Sequence, residues 1–285
     1  RADPGMTPLF AALFLSGFCS VLFQEIWTKK AGLVFGHTTL AVTAVVSTFM
    51  LGLAIGNALA PHLLRRIQRP IRMYLFAECF VALLGWMLSL LPWSDFPANL
   101  AVRVLTLLLL ILPAVFMGMT LPAVVSLLGT REARLSARAY FVNTAGAAMA
   151  ALVGAYVLLP RFSSTAVSVA AALALLAVVP LTWRWRSTVV APALASQGNE
   201  PRIPVRLLLA AFVVGVVGLS QEIAWTRLLS LVFGPSVYAF GSVLFVYLTG
   251  IAAGAWVADR IRVRVTRAFL DWNFFATAFF ALFGM

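Results

Sequence analysis

Long apolar runs alternate with short, arginine-rich breaks along the whole chain. The runs Pro8–Trp27, Thr38–Leu63, Met73–Leu91, Val104–Leu128, Tyr140–Leu159, Ser164–Trp183, Leu207–Trp225 and Ser236–Ala258 suit helices crossing a hydrocarbon core about 30 Å thick, which takes about 20 residues. A ninth run opens near Trp272 and is still apolar at Met285. It reaches only about 21 Å at the usual helical rise, so it is expected to continue beyond Met285. The predicted fold class is an all-α polytopic membrane protein with eight or nine transmembrane helices.

One stretch of this pattern occurs twice. At an offset of 198, Trp27-Thr28 falls on Trp225-Thr226 and Leu33-Val34-Phe35-Gly36 on Leu231-Val232-Phe233-Gly234. Gly52, Ala54 and Gly56 then fall on Gly250, Ala252 and Gly254, giving 12 identities in the 34 positions from Trp27 to Ala60. Allowing one extra residue, Ala224, also brings Gln24-Glu25-Ile26 onto Gln221-Glu222-Ile223. That insertion turns the second carboxylate by about 100° around its helix. The polar stretch 184–204, with Pro192, Gly198, Pro201 and Pro204, reads as a cytoplasmic linker. It separates a six-helix half (6–183) from the start of a second half (205–285). With six spans between them, the two copies enter the membrane in the same direction. Such parallel repeats are related by an axis along the membrane normal.

Composition agrees with a membrane setting: 62% of residues are hydrophobic, 11% are charged, and the mean hydropathy is +1.00. The net charge of +12 would suit nucleic acid, but its placement argues otherwise. With the amino terminus cytoplasmic, 15 of the 21 basic residues fall in loops on the inner side, among them Arg65, Arg66, Arg69, Arg72, Arg131, Arg134 and Arg138. That asymmetry follows the positive-inside rule. It predicts a multi-pass protein of a bacterial-type inner membrane, with the lipid bilayer as its partner and no nucleic acid. Arg1–Gly5 reads as a cloning remnant ahead of Met6. Cys19 and Cys79 read as packed apolar thiols, and His37 and His62 lack the partners of a metal site. No cofactor and no metal are expected.

Candidate chemistry lies in the few polar groups within the spans: Glu222, Trp225, Gln24, Glu25, Trp27, Glu78, Asn143 and Tyr140. An ionised side chain in the bilayer costs about 2.5–3.5 kcal/mol on insertion scales, so each glutamate needs a partner, an aqueous cavity or a proton. Glu25 precedes Lys29 by four residues, the spacing of a helical ion pair. Glu222 has no basic residue one turn away and suits a cavity role. Glu78 can snorkel to the inner interface, pair with an arginine there, or bind a ligand or proton. Asn143 is expected to hydrogen-bond a neighbouring helix, and Trp27 and Trp225 to sit in an interfacial aromatic belt. Pro113 and Pro122 predict a bent or broken fourth span.

Several of these segments together resemble a known family. Gln221-Glu222-Ile223-Ala224-Trp225-Thr226-Arg227, Gly250-Ile251-Ala252-Ala253-Gly254, Met117-Gly118-Met119-Thr120-Leu121-Pro122 and Tyr140-Phe141-Val142-Asn143-Thr144-Ala145-Gly146 resemble the membrane region of fused major-facilitator/spermidine-synthase-like proteins. Gly254-Ala255-Trp256-Val257-Ala258-Asp259-Arg260 is similar to the major-facilitator loop motif; the first copy departs from it, with Pro61 in place of the acid. The resemblance implies a major-facilitator-like parallel repeat of helical bundles. It also implies a transporter-like domain that binds or moves a small solute, of cationic, polyamine type. The alternative it implies is a non-transporting membrane anchor for a soluble aminopropyltransferase-like domain, in cis or in trans. This chain has no glycine-rich phosphate loop of the kind such an enzyme needs, so no catalytic residue is assigned, and whether the whole protein is an enzyme stays open.

Overall fold

The computed structural model describes residues 6–36, 39–97, 99–128, 133–183, 205–234, 237–261 and 276. Among them the chain is helical, with no strand. Eight helices are long and apolar enough to cross a membrane, the make-up of a multi-pass membrane protein. They are α1 (Thr7–Phe35), α2 (Thr39–Ile67), α3 (Pro70–Leu90), α4 (Leu100–Leu128), α5 (Ala133–Val153), α6 (Ser164–Thr182), α7 (Val205–Phe233) and α8 (Val237–Ile261). The eight predicted runs match these helices one for one. Arg1–Gly5, the 184–204 stretch and all of the ninth run except Ala276 lie outside the described residues.

Helix starts and stops follow local chemistry. Pro8 and Pro70 stand in the first turns of α1 and α3, where a missing N–H costs nothing. The Ser163 hydroxyl accepts from the Ala166 N–H ahead of α6, and the Asn99 side chain accepts from the Val102 N–H at α4, as N-caps do. Gly36 (φ 83°) and Gly234 (φ 74°) end α1 and α7 in the positive-φ region that glycine adopts freely. Thr28, Ser89, Thr182 and Thr226 each return a hydroxyl to the carbonyl four residues back. A buried hydroxyl thereby finds a partner without leaving its own helix.

α1 and α7 carry the two copies of the repeated stretch: they end 198 positions apart, at Phe35 and Phe233, and close on equivalent glycines. Their surroundings differ sharply. α1 lies in the middle of the bundle, packed by α2, α4, α5 and α6, and is buried along most of its length. α7 packs mainly on α8; Glu222 and Thr226 are the buried side chains among its described residues. α5 is sandwiched between α1 and α8.

Close approach of helices relies on small residues, since apolar burial gains little in lipid. Cβ atoms added at Gly52 and Gly56 of α2 would run into Ala114 and Val115 of α4, and one at Gly118 into Leu53. Among the described residues, nothing outside their own helix lies within 4 Å of a Cβ added at the equivalent Gly250 or Gly254 of α8. Of the two expected outcomes, a bend or a break, the break does not occur: α4 stays one α-helix through Pro113 and Pro122. The interruption falls in α5 instead, which passes into a π-helical turn at Gly154–Leu158 before a last turn, Leu159–Arg161.

Candidate functional site

Gln24, Glu25 and Trp27 occupy successive sides of the central helix, and all three are buried in the core. Among the described residues, the Gln24 Nε2, both Glu25 carboxyl oxygens and the Trp27 Nε1 have no hydrogen-bond partner. Unpartnered buried groups are few in folded proteins, so four within one turn mark a special segment. Trp27 stacks on Phe23, with centroids 5.7 Å apart. At 0% exposure it is a core residue, not the interfacial belt residue expected. Trp225, its repeat counterpart, is 36% exposed and does suit a belt.

The spacing of Glu25 and Lys29 predicts an ion pair that does not form. Lys29 is exposed, while Glu25 is fully buried with both oxygens unpartnered. Lys30 reaches sideways to the Ser89 carbonyl at 2.7 Å. The reason is tertiary: the Glu25 side of α1 is covered by α5 and α8. Its Oε2 abuts Gly154, the first residue of the π turn, where Leu22 also packs. Its Oε1 lies 3.1 Å from where a Gly241 Cβ would stand on α8. Tyr156 of the π turn and Ser242 of α8, within two residues of these glycines in sequence, share a hydrogen bond of 2.6 Å, and the Tyr156 and Tyr238 rings meet at 5.3 Å. The apolar pattern gives no sign of the π turn. Pro160, which has no N–H for the Tyr156 carbonyl, is the signal that could have found it. π turns are rare and frequently stand at functional sites.

Glu222 is also buried, at 5% exposure, and among the described residues its Oε1 has no partner. Across from it on α8 stands Tyr247, whose phenol is close enough to feel the Glu222 charge and donates to the Gly218 carbonyl at 2.9 Å. α7 is α-helical throughout and holds no bulge for the extra Ala224. The offset of 198 therefore runs through the whole helix, and Glu222 takes the place of Gln24, not of Glu25. The two threonine hydrogen bonds fix this register, since Thr28 bonds the Gln24 carbonyl and Thr226 that of Glu222, each at 2.8 Å. The aligned Gln-Glu pairs thus face different ways, as the insertion predicts.

Glu78 neither snorkels nor turns toward an arginine. It is buried between α3 and α1, with Ser16, Tyr74 and Cys19 as polar neighbours. The Tyr74 Oη and Glu78 Oε1 are both without a well-formed hydrogen bond. Cys19 is buried as expected, whereas Cys79 is exposed. Asn143 backs onto Gly17 of α1, its carbonyl and side-chain oxygens filling the space of a Cβ there. Tyr140 is exposed and joins none of these groups. The three glutamates therefore sit in three separate helix contacts. Among the described residues no cluster of histidine, cysteine or acidic side chains has the make-up of a metal site.

Eight membrane-length helices with acidic groups buried between them define a multi-pass helical membrane protein. Comparison with models of known protein families, with curated proteins and with solved structures found no match.

Proposed function

We propose that the chain is a transporter-like membrane domain that binds a small cationic solute, with Glu222 as its acidic contact. The observation that carries this reading is the placement of Glu222. On a helix otherwise open to its surroundings, the buried side chains are a carboxylate with an unpartnered oxygen and the threonine one turn on. A carboxylate in that position calls for a positive partner, because an unpaired charge in the bilayer is costly. An alkylammonium group supplies the charge and N–H donors, and the Tyr247 phenol flanks it. The resemblance to membrane regions of major-facilitator/spermidine-synthase-like proteins makes a polyamine the first solute to try, in a bacterial-type inner membrane with the amino terminus inside.

Binding of spermidine and putrescine to the purified protein tests this. Hydrogen bonds to charged groups contribute about 1.5–3 kcal/mol, so Glu222→Gln is expected to weaken binding about 10- to 100-fold. Unchanged affinity in that variant removes Glu222 from the site, and no binding of any amine ends the polyamine reading. Flux assays in proteoliposomes separate transport from the alternative, a membrane anchor for a soluble synthase-like domain. An anchor shows no flux.

A further inference from the structure

Glu25 calls for a different occupant from Glu222. Its side chain is fully buried; its Oε2 takes the space that a Cβ would need at Gly154 of α5, and its Oε1 lies 3.1 Å from where one would stand at Gly241 of α8. Leu22 and Ala155 stand at the same two glycines. Where a single added Cβ already meets the carboxyl, an ammonium group on a carbon chain does not fit. A bare metal ion needs a shell of about six oxygen ligands, and glycine, alanine and leucine side chains offer none. The Ala151 carbonyl oxygen also stands there, 2.8 Å from where the Gly241 Cβ would be, and belongs to the backbone ladder of α5. Among the described residues nothing donates to the Glu25 carboxyl.

No basic residue is placed to answer either. α8 carries no lysine, arginine or histidine from Val237 to Val257, and α5 none from Ala139 to Pro160. The titratable groups on the packing elements are Arg134, Arg138 and Tyr140 in the first turns of α5, Tyr156 and Arg161 at its end, Tyr238, Tyr247, Asp259 and Arg260 on α8, and Cys19, Lys29 and Lys30 on α1 itself. Tyr156 is engaged with Ser242, Tyr247 with Gly218, Lys30 with Ser89, and Lys29 is exposed. The one cation small enough for the remaining space is a proton.

We infer that Glu25 is a proton-binding site at the junction of α1, α5 and α8, and that release of its proton opens the contact between α5 and α8. In the closed arrangement the carboxyl is a neutral acid. When its O–H bond breaks and the proton passes to water, the carboxylate needs hydrogen-bond donors that the glycine-lined space lacks. Water gains access when α8 moves off the π turn, and the Tyr156 and Ser242 hydroxyls then become free to donate. A π turn suits this step, since it can close by one residue into regular α-helix and so shift every side chain beyond it. This inference does not rest on solute binding at Glu222.

Infrared difference spectroscopy of the full chain in lipid bilayers, combined with hydrogen exchange along α8, tests it. At neutral pH the wild type is expected to show a protonated-carboxyl band that is lost in Glu25→Gln and shifted in Glu25→Asp. Raising the pH is expected to speed exchange in α8 of the wild type, in step with loss of that band. Glu25→Gln, a neutral isostere, is expected to keep α8 protected at every pH. A band unchanged in both variants overturns the inference. So does an α8 response that is the same in wild type and Glu25→Gln, or one that occurs at a different pH from loss of the band.

Discussion

At Gly154 a single added methyl group would run into the Glu25 carboxyl, and at Gly241 into Ala155 and the Ala151 carbonyl beside it. Overpacking a close contact typically costs about 1–3 kcal/mol. Gly154→Ala and Gly241→Ala are each expected to destabilise the protein by that amount, measured by denaturation in detergent micelles. In Glu25→Ala the obstructing oxygens are gone, so the cost of Gly154→Ala should shrink. A double-mutant cycle reads this coupling directly, and strict additivity would mean that the carboxyl is not what the new methyl meets. Glu25 was legible as a charge in the wrong medium. Its true neighbours were not, because the i,i+4 rule sees only one helix, whereas the facing glycines come from α5 and α8. For Trp27 and Trp225 the sequence offers the same residue twice, and packing buries one and exposes the other.

Among elements, the repeat supplies an internal control. The Gly52–Gly56 face of α2 is filled by α4, while among the described residues a Cβ added at Gly250 or Gly254 of α8 meets nothing within 4 Å. Gly56→Ala is therefore expected to cost about 1–3 kcal/mol. Gly254→Ala should be neutral or slightly stabilising, since alanine favours helix over glycine by about 1 kcal/mol. Thermal unfolding of the two variants side by side checks this, and equal losses would mean that both faces are occupied. Apolar runs predicted all eight helices but underestimated most of their lengths. Thr7–Phe35 passes through Lys29 and Lys30, because a helix need not end where its apolar stretch does. The π turn in α5 escaped the sequence reading because it depends on how the Glu25 side chain and α8 fill the space beside Gly154. Pro160 marks its vicinity without specifying it.

For the whole molecule, the arginine asymmetry predicts an orientation that cysteine labelling can test. With Cys79 replaced by serine, Ser94→Cys in the exposed turn before α4 is expected to react with an impermeant thiol reagent on intact cells. Gln68→Cys between α2 and α3 should react only after the cells are opened. Both positions are exposed, so a reversed pattern would overturn the orientation.

Hydropathy determined the membrane class and the eight helices, because the bilayer imposes one length and one polarity on anything that crosses it. The internal repeat, too, was readable as sequence, down to the turn of the Gln-Glu pair. Tertiary structure decided which copy is central and which peripheral, and it gave the three glutamates three different surroundings. The physical reason is that lipid and a neighbouring helix are equally apolar to a side chain. Hydrophobicity alone therefore cannot say which face of a helix meets protein; only the fit of glycines against neighbouring helices does.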